Sequence, residues 1–226
     1  MSNMILIPSG SFVMGLDKKE VKRICRRFDL ATDLLTVTMP RRDMDLPDYY
    51  IDKYPVTNAE FHEFVVESGL DWIYGKDNPP PTDAARLPAV MVTYPMAEAY
   101  AKWNGKRLPT QEEWEKAARG RLGMLFPWGG VWNPDRLSSS VSGEGGLSPV
   151  DIHPMGSSPY GVMDMAGNVW EWTSTPHSDG AMIVKGGSFA QKEPYKYICA
   201  YKSHRLQTDL SECLGFRCVA DHSPSP

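Results

Sequence analysis

The sequence predicts an α+β domain that is loop-rich and built from short elements, and three observations carry that expectation. Gly and Pro number 19 each among 226 residues, roughly 17% together against an average near 12%, which disfavours long regular segments. Three pairs spaced as capping boxes, Asp17 with Glu20, Thr57 with Glu60 and Thr110 with Glu113, each open a short apolar-periodic stretch. Three strand-like runs, 181–189, 195–202 and 214–221, then predict an antiparallel sheet near the C-terminus.

Taken in order, a first strand is expected near Met4 to Met14, interrupted at Pro8-Ser9-Gly10. Asp17 starts an amphipathic helix in which Val21, Ile24, Cys25 and Phe28 share one face. The other face carries Lys18, Lys19, Lys22, Arg23, Arg26 and Arg27, a set that meets either an acidic partner or water. Asp48 to Pro55 reads as a strand running into a helix at 58–69, with Phe61, Phe64 and Val65 inward and Gly69 as its stop. Helices at 94–104 and 111–119 follow, the first aligning Met96, Tyr100 and Trp103. From Phe126 to Tyr160, Pro, Gly and Ser recur so often that a long ordered loop is expected. Gly143-Glu144-Gly145-Gly146 lacks the Lys-Ser/Thr of a phosphate-binding loop and reads as a turn.

Composition narrows the function classes. A net charge of −4 gives no global basic field, so nucleic acid is not an expected partner. No stretch approaches the length of a membrane span, and the N-terminus lacks a basic leader region. A soluble cytoplasmic protein is expected, with one domain over 1–221 and a disordered tail at 222–226. Four cysteines without a C-x-x-C spacing make neither a disulfide framework nor a zinc site. The five histidines show no H-x-x-x-H or H-E-x-x-H spacing, and no G-x-S-x-G elbow is present.

The most informative stretch is Asp164-Met165-Ala166-Gly167-Asn168-Val169-Trp170-Glu171-Trp172. Asn168 and Glu171, beside free backbone carbonyls, offer oxygen ligands to a hard cation such as calcium. Equally, the stretch is a turn anchored by two core tryptophans. Asp52 or Glu171 with Asp164 can be drawn as an acid and base pair, although nothing in the sequence places them together.

Around it stand further landmarks in a fixed order: Ile7-Pro8-Ser9-Gly10-Ser11-Phe12-Val13-Met14-Gly15, Tyr50 to Asn58, Gly105-Lys106-Arg107-Leu108-Pro109-Thr110 with Glu113-Trp114, Gly186-Gly187-Ser188-Phe189, and Gly215-Phe216-Arg217-Cys218. From about Ile7 to Asp221 the chain thus resembles the formylglycine-generating enzyme, or sulfatase-modifying factor, family. The resemblance implies a compact irregular C-type-lectin-like fold, with two to three helices packed on small twisted antiparallel sheets. It implies less about activity, because that family holds oxidases, sulfoxide-synthase domains and non-catalytic binding proteins.

In catalytic members, two cysteines five residues apart follow the Gly-Gly-Ser motif and bind Cu(I), for which soft thiolates are suited. Here Gln191 takes the first position, and Glu193, Pro194, Tyr195 and Lys196 fill the region of the second. No copper is therefore expected, and no iron, since the added helical domain that supplies histidines in the sulfoxide synthases has no counterpart. The resemblance places Trp172 and Ser188 at an oxygen pocket. It matches Asn168 and Glu171, with the carbonyls of Gly167 and Val169, to a calcium site, while Ser138 stands where a second calcium site would begin with Asn. Gln191, Lys192, Glu193, Tyr195 and Tyr197, with Lys202, Ser203, His204 and Arg205, fall where family binding proteins display a variable surface rich in efficient contact residues. Cys199 and Cys218 match structural cysteine positions and read as buried thiols, or as a mutual pair if their strands align. The expectation is a non-catalytic module that binds a protein or peptide ligand and is stabilised by calcium. The alternative is an oxidoreductase with an altered site, acting on a peptide cysteine or a small thiol.

Overall fold

The computed structural model describes residues 4–143 and 145–222, so Glu144 of the expected turn and all but His222 of the expected tail lie outside the described residues. Among the described residues three small sheets carry the fold. Strand β1 (Met4–Ile7) is followed by Pro8-Ser9 and by Gly10 at φ +116°, so the chain swings away before β2 (Gly10–Met14). The single interrupted strand expected here is therefore two strands in two sheets. β2 pairs antiparallel with β3 (Arg42–Leu46). β1 pairs antiparallel with β4 (Tyr49–Asp52).

Four α-helices are present among the described residues. α1 (Lys18–Phe28) has both halves of its Asp17–Glu20 capping box and ends at Asp29 in the left-handed region. α2 (Asn58–Ser68) repeats the pattern with Thr57, Glu60 and Gly69. α3 (Tyr94–Trp103) is capped by the Thr93 hydroxyl, and α4 (Gln111–Arg119) by Thr110 with Glu113. These local hydrogen bonds satisfy donors that no helix can satisfy internally, which is why the boundaries read from the sequence hold.

The third sheet follows the long loop. β5 (Trp170–Pro176) pairs antiparallel with β6 (Ala181–Lys185), which pairs antiparallel with β7 (Lys202–Leu206). On its other edge β5 meets β8 (Leu214–Gly215) in parallel, so the sheet is mixed rather than wholly antiparallel. The run 195–202 is not a strand: Pro194–Tyr197 forms a 3₁₀ turn and the strand begins at Lys202. The run 214–221 splits, because β9 (Val219–Ala220) leaves β8 to pair with the free edge of β4.

Burial gathers into three apolar groups. Phe61, Phe64, Trp72, Tyr100, Trp172 and Phe216 centre the one beneath α2 and α3. The buried face of α1 meets Phe126, Leu137 and Tyr197 in the second. Ile7, Ile51, Trp114, Met165 and Val219 form the third, which joins both ends of the chain to α4.

Candidate functional site

The turn at 164–168 exists because its residues accept backbone that most side chains resist. Asp164, Gly167 and Asn168 have φ of +54°, +83° and +61°. A Cβ at Gly167 would collide with the Ser138 carbonyl, so only glycine fits there. Asn168 donates from Nδ2 to the Ser148 carbonyl at 2.9 Å and accepts at Oδ1 from the Ser148 N–H at 3.2 Å, which ties the long loop to the turn.

Three residues on, Glu171 lies on β5 with no exposure at all, and Arg217 is equally buried. Arg217 Nη2 reaches Oε1 at 2.7 Å, while Nε reaches Oε2 at 2.7 Å, a bidentate fork. The Trp114 indole N–H donates to Oε2 at 2.7 Å. Arg217 spends its other donors on the carbonyls of Asp52, Lys53 and Met163 at 3.1, 3.3 and 2.8 Å. A buried charge needs this degree of partnering.

This arrangement corrects the expected cation ligand set. The Asn168 side chain is committed to Ser148 and the Glu171 carboxylate to Arg217 and Trp114, so neither is a free ligand. The group with capacity left is Asp164, whose Oδ2 is buried with no partner. Burial pushes its carboxyl up to about 7, eased by Arg217 and a hydrogen bond from Asn168 and reinforced by the Glu171 charge. The sequence showed Asp164 only as half of an acid and base pair; its orphaned oxygen follows from the left-handed turn that points it inward. Among the described residues no three His, Cys, Asp or Glu side chains converge as a metal site.

The Gly-Gly-Ser place is closed. Ser188 and Trp172 are both fully buried, Trp172 donating to the Val92 carbonyl at 2.9 Å. The Gln191 amide lies 3.4 Å from Ser188 Oγ. The Tyr197 hydroxyl is within 3.0 Å of the Ser188 carbonyl and 2.7 Å of the Gln191 carbonyl, and its ring stacks on Trp132.

Two expected contact residues are thereby corrected. Tyr197 has no exposure and Tyr195 only 8%, because the turn at 188–191 presents carbonyls that the Tyr197 hydroxyl serves and because Tyr195 packs edge-on against Tyr201. Lys192, Glu193 and His204 are exposed, while Gln191, Lys202, Ser203 and Arg205 are half-buried. Lys202, Ser203, His204 and Arg205 stand along β7, the edge strand, and His204 stacks on His177 with ring centroids 4.3 Å apart.

All four cysteines are free thiols, so Cys199 and Cys218 are not a mutual pair. Burial pushes the Cys199 thiol up to about 12. Cys218 is held well above the ordinary thiol range by burial and then by the Asp52 charge. Neither is a nucleophile near neutral pH.

Sequence reasoning missed a cleft of about 900 Å³ between the start of α2, the end of α3 and the segment after β9. Its floor holds Lys106 Nζ at 2.7 Å from Asp52 Oδ1, and Glu60, Glu63 and Trp103 stand around it. Burial raises the Asp52 carboxyl, with Lys106 opposing. These residues come from two stretches, 52–63 and 103–106, that are far apart in sequence, and no local spacing signals their meeting.

Known proteins agree with this architecture. The mouse (Mus musculus) formylglycine-generating enzyme is 29% identical over 299 residues, covering 100% of this chain and 77% of its own. The mouse protein named inactive C-alpha-formylglycine-generating enzyme 2 is 29% identical over 276 residues, covering 96% and 85%. The structure of PvdO from Pseudomonas aeruginosa superposes with a TM-score of 0.76 at 22% identity, covering 97% of this chain and 94% of that one. An enzyme and a protein called inactive are thus alike at the same distance. Residues 1–222 match the Sulfatase-modifying factor enzyme 1-like domain, and with its C-type-lectin-like α+β fold the chain belongs to that family.

Proposed function

We propose that the protein is a non-catalytic binding module on this scaffold, with a protein or peptide as its ligand. One observation carries the reading: where a copper-binding thiolate would follow Ser188, Gln191 stands instead, its amide turned onto Ser188 Oγ at 3.4 Å and its carbonyl bound by Tyr197. An amide is a poor ligand for Cu(I), and the remaining buried thiols resist ionisation. The residues do not fit copper, and no oxidation step follows from them. Exposed Lys192, Glu193 and His204 then offer ligand contacts beside the closed site. Unpaired thiols also accord with a reducing, cytoplasmic setting.

The test is direct. The purified protein is expected to consume no oxygen with cysteine peptides or small thiols and to show no Cu(I) affinity in the nanomolar range, on the order of 10⁻⁹ M. Tight Cu(I) binding with thiol-dependent oxygen uptake would establish the oxidoreductase alternative instead.

Calcium belongs to the same reading, in a revised place. The unpartnered Asp164 oxygen in a fully buried site, with a carboxylate neighbour whose charge Arg217 already balances, fits one hard cation held by Asp164 and carbonyls such as those of Gly167 and Val169. Bound calcium would neutralise Asp164 and stiffen the turn. Saturating calcium should raise stability by roughly 2–3 kcal/mol at a hundredfold excess over Kd, read as a shift in Tm. Asp164→Asn should remove the shift, and an equal shift in that variant would rule the site out.

A further inference from the structure

We propose that the exposed face of α1, with the Trp128–Trp132 loop beside it, docks a short acidic segment of a partner protein that also carries apolar residues. Lys18, Lys19, Lys22, Arg23, Arg26 and Arg27 are all exposed, while Val21, Ile24 and Cys25 hold the opposite face in the core. With Glu20, the helix carries a net +5; since the whole chain is −4, the rest carries −9. Arg26 and Arg27 in the last turn complement the helix dipole, which accounts for two of the six cations. The other four have no such role.

Among the described residues none of the six forms a salt bridge; the Arg41–Glu20 pair nearby involves none of them. Arg27 donates instead to the Gly130 carbonyl at 2.7 Å, which fastens the helix to the tryptophan loop. In that loop Trp128 stacks on Phe126 at 5.4 Å, and Val131 is 68% exposed. Leu34 and Val37, each 39% exposed, lie on the Thr32–Thr38 turn that packs against α1. Cations and exposed apolar side chains therefore share one surface, the composition that complements an acidic segment with apolar anchors.

Charge outside the helix selects among anionic partners. A bilayer or a nucleic-acid duplex reaches beyond eleven residues of helix, about 16 Å at 1.5 Å per residue, onto a chain whose other residues sum to −9. A short segment contacts the helix alone. The surface gives the binding-module reading a partner chemistry, yet it stands apart from Ser188: an oxidase bearing this helix would bind the same segment, so the oxygen-uptake result and this one are separable.

The probe is a fluorescently labelled twelve-residue peptide with six glutamates interspersed with leucine and alanine, titrated by anisotropy against the full chain. Binding is expected, weakening as salt rises, and the same peptide with glutamine for glutamate should not bind. Lys18→Gln/Lys22→Gln/Arg23→Gln, three exposed positions whose side chains have no hydrogen-bond or ion-pair partner among the described residues, should weaken binding about tenfold with an unchanged Tm. No binding by the parent chain, equal binding by the triple variant, or tighter binding to phosphatidylserine vesicles or duplex DNA than to the peptide would overturn the proposal.

Discussion

Arg217→Met is expected to lower folding stability by about 3–5 kcal/mol, the cost of leaving a buried carboxylate without its cation. Glu171 would retain only the Trp114 N–H, and the carbonyls of Asp52, Lys53 and Met163 would each lose a donor. Arg217 therefore joins strand β5, the end of β4 and the approach to the 164–168 turn through one guanidinium. Urea denaturation measures the loss. Arg217→Met/Glu171→Gln should cost less than the two single changes summed, because the double variant strands no unpaired charge. Additive costs would show that the pair does not act as a unit.

A comparable loss is expected at Glu115→Ala. Glu115 Oε1 accepts from Gly15 N–H at 2.7 Å and Arg119 Nη1 at 2.9 Å, and Oε2 accepts from Lys185 Nζ at 3.0 Å. Removing the carboxylate leaves two buried cations facing each other, again about 3–5 kcal/mol. Burial pushes the Glu115 carboxyl up, but Lys185, Arg119 and the Gly15 N–H together hold it below its ordinary 4.5. Burial holds the Lys185 ammonium below its ordinary value although Glu115 pulls it up, and the three donors on the Glu115 carboxylate favour its ionised form.

A folded-state pKa below the unfolded one means the unfolded chain takes up the proton first as pH falls. The stabilisation is full above pH 4.5 and is lost as pH drops through the lower folded value. Urea midpoints at about pH 7 and about pH 3.5 should therefore fall further in the parent than in Glu115→Gln. Parallel losses in both would remove Glu115 as the source.

Where the determinants are local, the sequence was legible. Asp17, Thr57 and Thr110 cap the helices they were expected to cap, because a capping box is decided within four residues. The run 195–202 misled for an instructive reason. Tyr195, Tyr197, Cys199 and Tyr201 alternate as in a half-buried strand, yet Pro194 removes a ladder donor and the segment curls so that the Tyr197 hydroxyl can serve the 188–191 carbonyls.

The site was less legible. Asn168 and Glu171 stand close together in sequence, but their partners Ser148, Trp114 and Arg217 come from elsewhere in the chain. The expected ligand set counted oxygens along the turn without counting the donors that reach them. Tyr195 and Tyr197 were read as contacts because tyrosine serves surfaces and cores alike, and only burial separates the two uses.

Strand β4 lies between β1, near one end of the chain, and β9, near the other. During synthesis β1 and β4 can meet early, but the second edge of β4 stays unpaired until residues 219 and 220 have left the ribosome. Ile51 and Tyr49, buried in the finished domain, must wait with it. From the making of β4 until β9 emerges, the nascent chain thus carries an open β-edge where the finished sheet has a paired one, a hazard that favours pairing with other chains.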